Sequence, residues 1–342
     1  MSLPLHPRHG IHAPTASSPP RAPGSLRRTA TTDMLRPDGM SGDLVLVGRA
    51  RDLLTDARGR ARVLGEAGYV ARIAYIGQRE ITQIETEPAR PAAQRLVSAR
   101  ATSGFRAALD GALPAERDAR SLLYLLLDDL PVAALVSGYA MTAAAPHLIK
   151  NLIKTGKPMI QHPDLCAGWR TGGTILVGIG QEGRVPVVTG PDARPLARED
   201  DPIAWHDLPP LPAHGMRRHR RLDLTLGEPL GVDVLFRDSH MAPDGRETVV
   251  HEYTVAAGVA GATLAIERIE ATARALPWVE CNPAAASASR LVGRHVAGLR
   301  PSVRAEFTGN TTCTHLNDTL RSLEDIEVLA PVLLRSSGAN YR

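Results

Sequence analysis

Three cysteines and two histidines are the side chains of this chain best suited to chemistry. Cys313-Thr-His315 sets a thiol two residues from an imidazole, close enough for both to reach one ion. Soft thiolate with imidazole suits zinc or iron. Cys281 stands in Trp278-Val-Glu-Cys281-Asn-Pro283, where a strand hands over to a helix. Asn282 is a good helix N-cap and Pro283 a good first helical residue, so the thiol should meet the positive end of a helix and favour thiolate. Cys313 has a similar setting ahead of a helix. Each thiol also has a plain reading as a small buried apolar side chain. His251, in Val249-Val-His251-Glu252-Tyr253, shares a strand face with Tyr253 at period two and is a candidate ligand or base, with Tyr253 as a pocket residue. Cys166 lies in the glycine-rich run Cys166-Ala-Gly-Trp-Arg-Thr-Gly-Gly173 and could complete a three-thiolate site, provided its segment folds over the other two thiols. Gly172-Gly173 lacks the Lys-Ser/Thr of a phosphate-binding loop. Asp238 reads either as a carboxylate ligand or as an ion-pair partner of Arg237, and Glu252 reads as structural.

The elements that must position these residues occur twice. Arg28–Asp33 matches Arg218–Asp223, Arg51-Asp52 matches Arg237-Asp238, and Gly59 matches Gly245. Leu96-Val97 matches Leu291-Val292, Gly104 matches Gly298, and Leu123–Asp128 matches Cys313–Asp318. The spacing stays between about 185 and 195 positions, and a self-match at a near-fixed period is a strong guide to architecture. Opposite Cys313, His315 and His251 the first copy holds Leu123, Leu125 and Gly65, so only the second copy keeps reactive residues. Period-two segments precede the helical ones in both copies, which predicts an α+β fold. The expectation is two tandem pseudo-repeat modules, each an antiparallel three-stranded sheet followed by helices. In the second copy strands are expected over 233–238, 248–256 and 263–270, and helices over 283–292, 302–307 and 314–323. In the first copy helices are expected over 91–102 and 117–128. Residues 1–26 read as a disordered tail, 27–145 as the first module, 146–216 as an insertion, and 217–335 as the second, site-bearing module. The insertion opens with a basic helical stretch at 147–157 and is too long for a passive linker.

With 342 residues and 43% hydrophobic side chains the chain can build real cores. The net charge of +4 is spread over many arginines, and Arg217-Arg218-His219-Arg220-Arg221 is the one dense basic run. It reads as a solvated strand edge or an interdomain salt-bridge segment, because aromatics for base stacking are scarce; no nucleic-acid partner is expected. No apolar run reaches the ~20 residues needed to cross a bilayer, so no membrane partner is expected. Three cysteines in no dense framework point to a reducing cytoplasm.

The stretch Cys281–Val292 with Cys313-Thr-His-Leu316 resembles a bacterial domain family of unknown function, which typically ends in Gly-Cys-Thr-His-Leu; here Thr312 replaces the glycine. More distantly, the order strand, cysteine, helix, helix, cysteine resembles iron–sulfur scaffold proteins of the IscU/NifU/SufU kind. That likeness implies a three-stranded antiparallel sheet backed by helices, with a metal-binding corner. Two departures stand out: the second copy has no cysteine in a Cys-Gly-Asp turn, and His315 follows Cys313 instead of preceding it. The expected function is a metal-dependent enzyme, a hydrolase or lyase with zinc or non-haem iron, acting on a small organic substrate that carries a carboxylate or thioester. Cys166, Cys281, Cys313 and His315 are the candidate ligands, and His251 and Tyr253 the candidate catalytic residues. Three alternatives remain open: an iron–sulfur or sulfur carrier holding an Fe–S cluster, a metal-free cysteine hydrolase or lyase, and a structural zinc in an interaction protein. A homodimer is compatible with all of them.

Overall fold

The computed structural model describes residues 6–145 and 163–336. One antiparallel sheet of eight strands runs through the protein in the order β4-β3-β2-β1-β5-β6-β7-β8. The first four strands are β1 Ser25–Leu35, β2 Leu44–Thr55, β3 Ala61–Ala74 and β4 Glu80–Glu87; the last four are β5 Met216–Thr225, β6 Leu230–Met241, β7 Glu247–Val259 and β8 Ile266–Ala275. Helices follow each set: α1 Phe105–Ala112, α2 Pro114–Asp118, α3 Leu122–Val136 and α4 Gly138–Ala144, then α6 Leu299–Glu306, α7 Thr314–Ser322 and α8 Ile326–Ser336. Helix α5, Thr174–Glu182, belongs to the segment between them. The fold is therefore α+β, strands first and helices after, but with a single continuous sheet where two three-stranded sheets were expected.

The additional strands β1 and β5 pair antiparallel at the centre of the sheet, in the register Arg28↔Leu222 and Ala30↔Arg220. Apolar alternation could not reveal them, because they carry Arg-Arg-Thr-Ala-Thr-Thr-Asp and Arg-Arg-His-Arg-Arg-Leu-Asp. They are nonetheless almost wholly buried. Buried charges survive where they are paired and hydrogen-bonded, and here they are. On the helix-covered face Arg28 grips Asp52 and Asp325, Arg218 grips Asp238, and Arg220 grips Asp129. On the opposite face Arg27 meets Asp223 at 2.6 Å and Arg217 meets Asp33 at 2.5 Å. The basic run is thus no solvated edge but a buried salt-bridge seam.

Apolar side chains between sheet and helices form two large clusters, one around Leu46, Ile73, Leu127 and Leu130, the other around Phe236, Tyr253, Leu299 and Leu316. Against expectation, Leu122–Ala144 is long and apolar enough to cross a membrane by length and composition. In this structure most of it is buried as a core helix, and its Asp128 and Asp129 form ion pairs with Arg321 and Arg220.

Two further expectations change. Residues 6–24 are not disordered: Gly10 N donates to Pro277 O, Leu276 N to Ile11 O, and Ala13 N to Arg274 O, so this segment pairs with the chain around the end of β8. Its polar composition concealed backbone pairing that needs few apolar side chains. Gly10 is required there, since a Cβ would lie 2.4 Å from Leu276 O. The segments expected as helices at 91–102 and 283–292 are 3-10 helices, Pro91–Leu96 and Val279–Leu291. The basic stretch at 147–157 lies outside the described residues.

From Pro163 onward the insertion wraps the sheet. Ala167, Ile175 and Val188 join the second core. Pro191 O then accepts from Val249 N at 2.8 Å, and Ala193 N donates to Glu247 O at 2.9 Å, which covers the start of β7. Beyond it, Leu196, Ala204 and Trp205 pack on Leu235 on the other face, and the His206 ring lies between the Thr29 and Thr31 hydroxyls at 2.9 and 2.8 Å.

Candidate metal centre

Strands β6 and β7 set Asp238 opposite His251 and Phe236 opposite Tyr253. Side chains alternate along a strand, so His251 and Tyr253 both face the helices, as does Asp238. A bulge follows Asp238, and such irregularities re-aim side chains beside functional sites. Helix α7 begins just after Cys313, which is its N-cap, and brings His315 down onto His251. The two imidazoles stack with centroids 3.8 Å apart and planes 21° apart. His315 Nδ1 faces the Cys313 sulfur at 3.8 Å. Its Nε2 faces Asp238 Oδ2 at 3.8 Å, and His251 Nδ1 stands 3.6 Å from the same oxygen. Asp238, His251 and His315 are the one group among the described residues whose potential ligand atoms lie within 4.8 Å of one another.

Arg218 holds both Asp238 oxygens, at 2.8 and 3.0 Å. Burial would raise the pKa of this carboxyl, but Arg218 outweighs it and keeps Asp238 ionised, below the usual carboxylate range. Because Arg218 already neutralises it, Asp238 is better placed to orient the imidazoles than to bind a cation. Burial, reinforced by His251, drives the His315 pKa well below its ordinary value, so this imidazole is neutral.

The remaining two thiols lie within electrostatic reach of Cys313. Cys281 is the third residue of its 3-10 helix, and Cys166 is fixed by the Ala167 N to Thr312 O bond of 2.9 Å. All three cysteines are free and buried. They are near enough to act on each other: burial first, then Cys313 and Cys166, push the Cys281 thiol far up, and burial with Cys166 raises Cys313 to about 11. Cys166 is likewise raised by burial. A helix N-terminus was expected to favour thiolate, but desolvation outweighs it. Backbone N–H groups nonetheless aim at the sulfurs: those of Trp169, Gly168 and Thr314 at Cys166, and those of Leu316 and His315 at Cys313. Gly168 lies so close that a Cβ there would be 3.0 Å from the Cys281 sulfur.

Tyr253 completes the group. Its ring is fully buried, and burial followed by Cys313, Cys281 and Cys166 pushes its pKa far above 10. Its hydroxyl lies beside the Cys313 thiol but makes no hydrogen bond of good geometry, and His251 Nδ1 has none either. The imidazoles of His251 and His315 are partly exposed, whereas the three cysteines are buried.

Of the residues singled out in the sequence, the structure stacks His251 on His315 and sets Cys313 beside His315 and Tyr253. Cys166 and Cys281 lie further out, and among the described residues no group of three that includes a cysteine meets the 4.8 Å spacing. The structure adds Asp238, which the sequence leaves open as a carboxylate ligand or a partner of Arg237, to the imidazoles. Arg237 instead pairs with Glu252 at 2.6 Å on the opposite face, where Glu252 is structural. Strand alternation carried the missing signal, since adjacent residues of a strand point to opposite faces. The Gly172-Gly173 turn is not open for an anion: Glu280 Oε1 already accepts from Thr174 N and Oγ1, at 2.9 and 2.8 Å.

Residues 216–329 match the model of a family described as a protein of unknown function (DUF2889). The matched stretch starts with β5 and contains Asp238, His251, Tyr253, Cys281, Cys313 and His315; Cys166 lies outside it. No curated protein and no solved structure matches the chain.

Proposed function

We propose that the protein is a metal-dependent enzyme, with zinc or iron held by Cys166, Cys281 and Cys313 and by His315 through Nδ1, acting on a small organic substrate. The observation that carries this reading is Cys313 beside the neutral His315 at 3.8 Å, with the chain's two other cysteines buried within electrostatic reach of Cys313 and Tyr253. The residues fit a cation by donor type, and binding would have to draw the three thiols and His315 together, because among the described residues only Asp238, His251 and His315 now stand within 4.8 Å of one another. Three thiols and an imidazole are a donor set for zinc or iron, and the N–H groups aimed at two of the sulfurs would stabilise their thiolate forms. Gly168 keeps clear the space beside Cys281 that a side chain would fill.

A bound ion would act as a Lewis acid or lower the pKa of a water. The chain's own groups divide the remaining work. Asp238, fixed by Arg218, faces His315 Nε2 and holds the ring orientation, as carboxylates behind metal-binding histidines do. His251, partly exposed and with Nδ1 free of hydrogen bonds, is the group to take up a proton from substrate or water. Tyr253 offers its unpaired hydroxyl to an oxygen of the substrate. The arginines of 217–221 are committed to ion pairs and do not supply a carboxylate site.

A free-thiol nucleophile fits less well, because a thiol with a pKa of about 11 is thiolate in only about one molecule in ten thousand at pH 7. An iron–sulfur cluster is the second reading, favoured by the N–H groups on the sulfurs; the burial of the thiols suits a resident centre better than a cluster handed to a partner.

The same reading treats the two four-strand sets and their helices as copies of one module, with one strand more than the three-stranded IscU-like sheet expected. Three likenesses support it: the Arg28–Asp52 and Arg218–Asp238 pairs, the bulges after Asp52 and Asp238, and Gly65 opposite Asp52 where His251 is opposite Asp238.

Elemental analysis of untagged wild type and Cys313→Ala tests the proposal. About one zinc or iron per chain, lost in the variant, is expected. Acid-labile sulfide alongside iron would favour the cluster, and no metal in wild type would remove both metal readings.

A further inference from the structure

The first half of the sheet and its helices contribute none of the thiols or imidazoles, yet helix α3 reaches the centre through a buried carboxylate. Asp129 grips Arg220 with both oxygens, 2.6 Å from Oδ1 to Nη2 on the better-spaced arm. The same Oδ1 stands 3.8 Å from Arg218 Nη1, a buried nitrogen with no hydrogen bond of its own. Arg218 in turn holds Asp238, the carboxylate beside both imidazoles. The two guanidiniums lie 4.9 and 5.3 Å from the Phe236 ring, and the His315 ring lies 5.9 Å from that ring. Two buried cations therefore flank the centre, and two carboxylates, Asp129 and Asp238, balance them. The other acid in reach, Asp318, is already bound by Arg106 and Arg321.

We propose that Asp129 is a positioning residue for the metal centre: by neutralising Arg220 it leaves Arg218 to orient Asp238 and keeps an uncompensated positive charge from facing the cation. This rests on the metal-centre reading above. It also gives the half without ligands a role, since one of its helices sets the charge balance of the site on the other half.

The test uses full-length protein and zinc, with affinity measured by competition against a chelator. Asp129→Asn leaves two guanidiniums against one carboxylate and should weaken zinc binding several-fold, less than the about 10- to 100-fold that loss of a partner bonded directly to a ligand costs. Arg220→Gln removes the same ion pair but leaves the balance negative, so zinc should bind more tightly than in wild type. A purely structural pair predicts the same sign for both variants. Asp33→Asn, which breaks the comparable buried pair with Arg217 on the opposite face, should lower the unfolding midpoint and leave zinc affinity unchanged. Unchanged affinity in Asp129→Asn, weaker binding in Arg220→Gln, or a shift of equal size in Asp33→Asn overturns the inference while leaving the metal centre in place. Should Asp129→Asn not fold, the sign of the Arg220→Gln effect decides alone. Absence of zinc binding in wild type would instead defeat the underlying reading.

Discussion

Replacing Tyr253 with phenylalanine should stabilise the metal-free protein. The ring is fully buried in the core, and its hydroxyl has no hydrogen bond of good geometry. An unsatisfied buried hydroxyl costs about 1–3 kcal/mol relative to a satisfied or absent one. Phenylalanine keeps the ring and its packing and removes only that oxygen, so a gain of about 1–2 kcal/mol is expected. At about 2.1 cal/mol/K of unfolding entropy per residue, 342 residues give roughly 0.7 kcal/mol/K, and the gain becomes about 1.5–3 °C in Tm. Differential scanning calorimetry on chelator-treated wild type and Tyr253→Phe reads this directly. Activity should move the other way once a substrate is found, as is usual where a site keeps a costly polar group for function. A lower Tm in Tyr253→Phe would refute the reasoning: it would mean that the hydroxyl and the Cys313 thiol form a stabilising bond, and that the tyrosine is a structural partner.

Three further outcomes follow from the geometry. Gly168→Ala should lower metal content while the far-ultraviolet spectrum stays native, because its Cβ would sit 3.0 Å from the Cys281 sulfur; full metal content would show that the neighbouring loop can yield. Thiols of the metal-free protein should react with a disulfide reagent at pH 7 far more slowly than unfolded cysteine, since burial holds Cys313 at about 11 and Cys281 higher than an ordinary thiol; three fast thiols would contradict it. Acid should destabilise the fold through buried neutral histidines. Burial lowers His206 to about 3 and His240 to about 4, and drives His219 well below its ordinary value. A histidine with a depressed folded pKa contributes fully above its unfolded pKa of about 6.5, and each such group costs about 1.4 kcal/mol for every pH unit below that, down to its folded pKa. Urea midpoints should therefore fall between pH 7 and pH 5, and fall less in His206→Asn, which retains partners for Thr29 and Thr31; a flat profile would mean that these rings are protonated in the native state.

Much of the candidate site was legible because its members are chemically rare. Three cysteines and a Cys-x-His pair stand out in any sequence, and their absence from the matching first stretch singled out the second. Asp238 was obscured because its partner, Arg218, lies on another strand, and only pairing of β5 with β6 brings them together. The basic run 217–221 reads in the sequence as a solvated strand edge or an interdomain salt-bridge segment, and 28–33 carries no strand signal, for a related reason. Their burial depends on carboxylates from elsewhere, Asp33, Asp129, Asp223 and Asp325 among them, so no local pattern of apolar residues marks them. The N-terminal segment escaped for a third reason: residues such as Gly10 and Ala13 are held by backbone bonds to Pro277 and Arg274, which composition does not record. Where packing of apolar faces decides the element, as in Thr314–Ser322, periodicity located the helix to within a residue, whereas the helix expected over 117–128 overlaps only the first half of Leu122–Val136.

X-ray absorption at the metal edge of protein purified without a metal-binding tag tests the central claim most directly. Three sulfur scatterers at about 2.3 Å with one nitrogen at about 2.0–2.1 Å are predicted, the distances of thiolate and imidazole on zinc. A shell of nitrogen and oxygen alone would contradict a centre built on Cys166, Cys281 and Cys313, and would move any ion to Asp238, His251 and His315.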